Sequence, residues 1–128
     1  MSNDRKETKK YDLETRLIDF AVQIIALAES LPNSRTGSHL ANQLVRSGTS
    51  PALNYGEAQS AESRNDFIHK MKIVLKELRE TSISLQIIKR TGLSESAPRL
   101  SSVLDECREL IAIFAKSIQT AETQRKPR

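Results

Sequence analysis

Apolar residues recur at spacings of three and four in four separate runs, and that period restricts the chain to a helical fold. The first run uses Leu13, Leu17, Phe20, Ala21, Ile24, Leu27, Ala28 and Leu31, with Asp12 as the expected N-cap and Pro32-Asn33 as the stop. The third uses Phe67, Met71, Val74, Leu75, Leu78, Ser82, Leu85 and Ile88. Ser63 is its expected cap, with Asp66 three residues on, and Gly92 ends it after Lys89 and Arg90. The fourth follows Pro98 through Leu100, Val103, Leu104, Cys107, Leu110, Ile111, Phe114 and Ile118. Nothing reads as a strand, and aromatics at 4% suit helices better than a sandwich or barrel.

The second run is the difficult one. Leu40, Leu44, Ser47 or Gly48, Pro51, Tyr55 and Ala58 keep helical spacing through RSGTSPALNYGEAQ, residues 46–59, despite two glycines and a proline. Periodicity predicts one helix kinked at Pro51, where the missing N–H and the ring disturb the turn at Ser47. The alternative is two shorter helices with a turn at 48–51. In the kinked reading, Gly48 and Ser50 allow another backbone to approach closely.

Polar connectors at 33–37 and 60–64, with four helices of roughly 20 to 29 residues, predict an all-α, antiparallel up-down four-helix bundle. The expected boundaries are a basic N-terminal tail at 1–10, the bundle at 11–120 and a basic C-terminal tail at 121–128. Ile18, Val22 and Ile25 form a second apolar stripe on the first helix; Ile73, Ile83 and Ile87 form one on the third. Such width asks for neighbours on more than one side.

The net charge of +4 comes entirely from the tails, because residues 11–120 hold thirteen charges of each sign. Within that body, residues 11–31 are acidic and residues 62–92 are basic, at −3 and +3. Affinity for nucleic acid would therefore reside in the tails and the third helix. One cysteine excludes an internal disulfide, no leader or spanning segment is visible, and a cytoplasmic location without membrane partners is expected.

No catalytic constellation or cofactor site is expected. His39 and His69 are far apart, with no metal-ligand spacing around them, and Cys107 lies on an apolar stripe without an activating base. The chemistry that remains is polar. Arg46, Asn54, Glu57 and Glu80 are expected to form a structural cluster that fixes helix register. Lys70, Lys72, Lys76, Arg79, Lys89 and Arg90 on the third helix are the candidate nucleic-acid contacts. Tail residues Arg5, Lys6, Lys9, Lys10, Arg125, Lys126 and Arg128 would add to them.

Arg46-Ser47, Pro51, Asn54-Tyr55-Gly56-Glu57, Arg64 and Phe67 together resemble a bacterial family of four-helix-bundle proteins. Many of its members were first noticed in intervening sequences of large-subunit ribosomal RNA genes, and the accessory variability determinant of diversity-generating retroelements is similar. The family pattern has Arg-Ser, then Asn-Ile-Ala-Glu-Gly, an Arg and an aromatic, and Gly-Ser-x-x-Glu in the third helix. This chain departs from it at Tyr55-Gly56, Ala58 and Lys76-Glu77, while Leu78 and Glu80 remain. The resemblance covers roughly residues 12–120 and implies a ring-like homopentamer without enzymatic activity. It also implies binding to RNA or to a reverse transcriptase. The two functional expectations are an RNA-binding oligomeric scaffold and a protein-interaction module without nucleic-acid binding.

Overall fold

The computed structural model describes the backbone of residues 2–125 and the side chains of residues 13–124. Four helices fill it: α1 (Ser2–Glu29), α2 (Arg35–Gln59), α3 (Arg64–Thr91) and α4 (Ala97–Arg125). No strand occurs among the described residues. Each helix packs on its chain neighbours, α1 also meets α4, and the pairs α1–α3 and α2–α4 lie on the diagonals. Register pairs give the directions. Glu57 meets Lys70 while Ser47 meets Thr81, so the numbering runs in opposite senses along α2 and α3. Lys72–Glu122 and Cys107–Leu78 give the same result for α3 and α4.

Local chemistry sets the helix ends. Ser34 caps α2 by accepting from the Gly37 N–H at 3.0 Å, a cap that the glycine- and polar-rich connector concealed. Ser63 caps α3 by accepting from the Asp66 N–H at 3.0 Å. Gly92 closes α3 in the left-handed conformation, φ 69°, where its N–H reaches the Ile88 and Lys89 carbonyls. At the first cap, Gly37 packs so tightly on the Pro32 carbonyl that a side chain there would collide with backbone.

Two boundaries move. The first helix starts at Ser2, so Asp12 is an interior position and not the N-cap. Residues 2–12 carry no apolar stripe that periodicity could detect, but their Lys, Glu and Arg residues suit a helix. At the other end, α4 continues to Arg125 with Ala121 buried, past the expected limit at 120.

The core contains the stripes read from the sequence. Leu17, Phe20, Ile24 and Leu27 of α1 meet Leu44 of α2, Val74, Leu78, Leu85 and Ile88 of α3, and Leu110 and Phe114 of α4, all without solvent exposure. Tyr55 crosses the diagonal to meet Phe114 edge to face, with ring centroids 5.6 Å apart and planes at 89°. Phe67 packs half-buried against this core as expected, while Ile68 is buried beside it without joining the same cluster. The puzzling segment is resolved as well. Helix α2 runs unbroken through Pro51, which is buried on its inner face with Ser47, Gly48, Tyr55 and Ala58.

Candidate functional site: a polar seam and a basic outer face

The seam lies between α2 and α3. The Ser47 and Thr81 hydroxyls hydrogen-bond at 2.9 Å in the interior, and Thr81 also donates to the Glu77 carbonyl one turn back at 2.8 Å. Glu77 turns its carboxylate into the same contact and is 7% exposed. Its Oε1 accepts no hydrogen bond, yet Arg46 Nη1 stands 3.6 Å away, within ion-pairing range. Arg46 Nη2 reaches Glu80 Oε1 at 3.4 Å. One guanidinium thus spans two carboxylates three residues apart, about one turn, on the facing helix.

The expected four-residue cluster is therefore only half assembled. Arg46 and Glu80 meet as expected. Asn54 turns back to its own helix, donating to the Ser50 carbonyl and hydroxyl at 3.1 and 2.8 Å. Glu57 is exposed and pairs with Lys70. Eight residues advance a helix by about 800°, which leaves Asn54 roughly 80° round from Arg46 and out of its reach. Glu77 was the missing member, and its spacing of three from Val74 and four from Thr81 puts it on the inner face.

The six basic positions of α3 fall into two groups. Lys70 and Lys72 reach sideways, to Glu57 of α2 and to Glu122 of α4, the latter at 2.9 Å. Lys76, Arg79, Lys89 and Arg90 are exposed and form no ion pair among the described residues. Lys72, Lys76 and Arg79 share the outer face. The side chains of Arg5, Lys6, Lys9, Lys10, Arg125, Lys126 and Arg128 lie outside the described residues.

Exposed aliphatic side chains complete the surface: Ile18, Val22 and Ile25 on α1, Leu53 on α2, and Ile83 and Ile87 on α3. Ile73, expected in the α3 stripe, is half-buried. Ile83 and Ile87 line a groove of about 230 Å³ with Arg46, Ser47 and Glu80, directly above the polar seam. Cys107 is fully buried, its Sγ 3.3 Å from the Leu78 carbonyl. Desolvation pushes its thiol up to about 12, with a smaller upward push from Glu106 and a downward one from Arg108. Burial also raises the Tyr55 phenol, Glu14 raises it further, and a hydrogen bond with Gln59 opposes both.

Among the described residues, no group of three or more His, Cys, Asp or Glu side chains could hold a metal ion. Nor is any described helix long and apolar enough to cross a membrane.

The model of the 23S rRNA-intervening sequence protein family matches residues 9–116. The chain belongs to that family. A solved structure that it resembles is a protein with unknown function from the S23 ribosomal protein family of Bacteroides thetaiotaomicron. The two are 33% identical, the match covers 83% of this chain and 97% of the other, and the TM-score is 0.76. No curated protein matches the chain. Membership covers the polar seam and the whole basic face of α3.

Proposed function

We propose that this member of the 23S rRNA-intervening sequence protein family is a non-enzymatic, homo-oligomeric helical scaffold. It binds RNA or a ribonucleoprotein partner, such as a reverse transcriptase, and assembles as a pentamer. The observation that carries the reading is that Lys76, Arg79, Lys89 and Arg90 of α3 are exposed and form no ion pair among the described residues. A cation already paired gains less from a phosphate than one whose only partner is water. Oligomer symmetry would repeat the face and multiply a weak single contact. The family's ribosomal RNA context favours RNA over DNA as the polyanion.

The second reading is a protein-interaction module without nucleic-acid binding. The exposed Ile83 and Ile87 favour it, because they continue the basic face as an apolar one.

Light scattering after size exclusion, with absorbance at 260 and 280 nm, tests both parts. The expected species has five times the 14.4 kDa chain mass and carries nucleic acid that high salt removes. Changing Lys72, Lys76 and Arg79 together to Glu should abolish RNA binding. Retained RNA binding in that variant would overturn the role of α3. A bound protein that survives the same change would favour the second reading.

A further inference from the structure

Where α3 begins and α4 finishes, the two helices leave an open groove of about 390 Å³ between them. That volume falls within the roughly 300–1,000 Å³ of small-ligand sites. Phe67 and Arg64 line the groove from α3, and Lys116, Ser117, Thr120 and Gln124 line it from α4. No carboxylate belongs to the lining.

The helical period brings these side chains together. At about 100° per residue, Lys116, Ser117, Thr120 and Gln124 fall within a sector of roughly 100° on α4. Lys116 and Gln124 stand at the two ends of that row, about 12 Å apart along the axis. On α3, Arg64 and Phe67 lie about 60° apart, whereas Asp66 of the same turn lies roughly 160° round from Arg64. The first turn of α3 faces the last turns of α4, and Arg64 Nη1 donates to Gln124 Oε1 at 3.1 Å.

The lining groups keep binding capacity in reserve. Phe67 is the one phenylalanine or tyrosine among the described residues that is not buried; Phe20, Tyr55 and Phe114 all are. Arg64 and Lys116 are exposed and form no ion pair among the described residues. With Gln124 Oε1 held by Arg64, the amide NH2 group is left to donate. The Ser117 and Thr120 hydroxyls can both donate and accept. A ring face, two flanking cations and a polar wall match the three parts of a nucleotide: a base to stack, phosphates to pair and a base edge to hydrogen-bond.

We propose that this groove takes one unpaired nucleotide of a single-stranded RNA. The base stacks on Phe67, and the phosphates on either side of it pair with Arg64 and Lys116. The inference rests on the RNA-binding reading above and deepens it by assigning the place where a base is held. Lys72 of α3 pairs with Glu122, next to Ala121 in the groove lining, so the cations of α3 lead into the groove. Arg125, Lys126 and Arg128 follow Gln124 directly in the sequence. Lys76, Arg79, Lys89 and Arg90 do not line the groove and remain open to the same strand. Contacts to phosphate hold any strand, whereas Phe67 selects one whose bases are free to unstack.

The test uses the full chain and a short labelled RNA, first single-stranded and then annealed to its complement, with binding read by fluorescence anisotropy. The single strand should bind about tenfold more tightly than the duplex. Phe67→Leu keeps an apolar side chain against the core; it should lose about tenfold on the single strand and nothing on the duplex. Lys116→Gln with Gln124→Ala, at two exposed positions, should also weaken the single strand and lower its salt slope by about one. Circular dichroism checks helicity, and if Phe67→Leu unfolds the chain, the second variant decides by the same criterion. Equal losses on both RNA forms, or none on either, would overturn the groove and leave the RNA reading intact. Uridine monophosphate binding as tightly as the strand would overturn the strand as the ligand. Wild type that binds neither RNA form would overturn the RNA reading, and the groove with it.

Discussion

Gly48 of α2 lies so close to Ile24 of α1 that a Cβ built on it would stand 2.6 Å from Ile24 Cγ2. The side chain in the way cannot swing clear. Ile24 is branched at Cβ, that carbon itself would be 3.0 Å from the added methyl, and the residue has no exposed surface. The glycine in the segment that looked like a turn therefore sits inside a helix because α1 crosses there.

Gly48→Ala should destabilise the bundle. Alanine recovers about 1 kcal/mol of helix propensity, but overpacking costs roughly 1–3 kcal/mol, and a fully buried, branched neighbour places the cost at the upper end. A net loss of about 1–2 kcal/mol is expected in urea melts. Adding Ile24→Ala should make the glycine replacement favourable, because the obstructing atoms are gone.

Gly56→Ala, only eight residues further along α2, should do the opposite. A Cβ at Gly56 meets nothing within 4 Å, and the position is helical and exposed. The substitution should stabilise by about 0.5–1 kcal/mol through propensity alone. A loss of stability at this position would show that the α2 backbone is not helical there.

The contrast between these glycines marks what the sequence could and could not disclose. Spacing alone placed nearly every core residue, since Leu17, Leu44, Leu78 and Leu110 repeat on the faces that one helical period defines. The same period brought Lys72, Lys76 and Arg79 to one face. What it could not supply was the relation between helices. Whether Gly48 or Gly56 meets a neighbour, or whether Lys72 finds Glu122, depends on the axial offset of two elements far apart in the chain. The polar content of the seam points to Arg46 and Glu80, which do meet, but the partner that Arg46 finds in the interior, Glu77, depends on the same offset between α2 and α3.

Arg46 and Glu77 should show coupling in a double-mutant cycle. Among the described residues Arg46 is the one cation within ion-pairing range of the buried Oε1 of Glu77, although most of the Arg46 side chain is in solvent. Arg46→Met should destabilise more when Glu77 is present than after Glu77→Gln, with a coupling on the order of 0.5–1 kcal/mol, since exposure screens the pair. Zero coupling would mean that Glu77 relies on water instead.

Cys107 should resist thiol reagents in the native state, reacting at the rate of unfolding, because it is both buried and held protonated. The same shift predicts a pH dependence of stability. The folded chain holds the thiol proton more tightly than the unfolded chain, whose thiol titrates near 9.0. Its contribution is therefore complete below pH 9.0 and is lost as pH rises towards about 12. The raised Tyr55 phenol acts in the same direction. Three pH units correspond to about 4 kcal/mol at 1.36 kcal/mol per unit, an upper figure for the thiol. Urea melts between pH 8 and pH 11 should show midpoints falling with pH, and Cys107→Ala should flatten that slope whatever its effect at neutral pH. An unchanged slope in the variant would assign the alkaline loss to other groups and would show that the unfolding reaction does not expose a protected thiol.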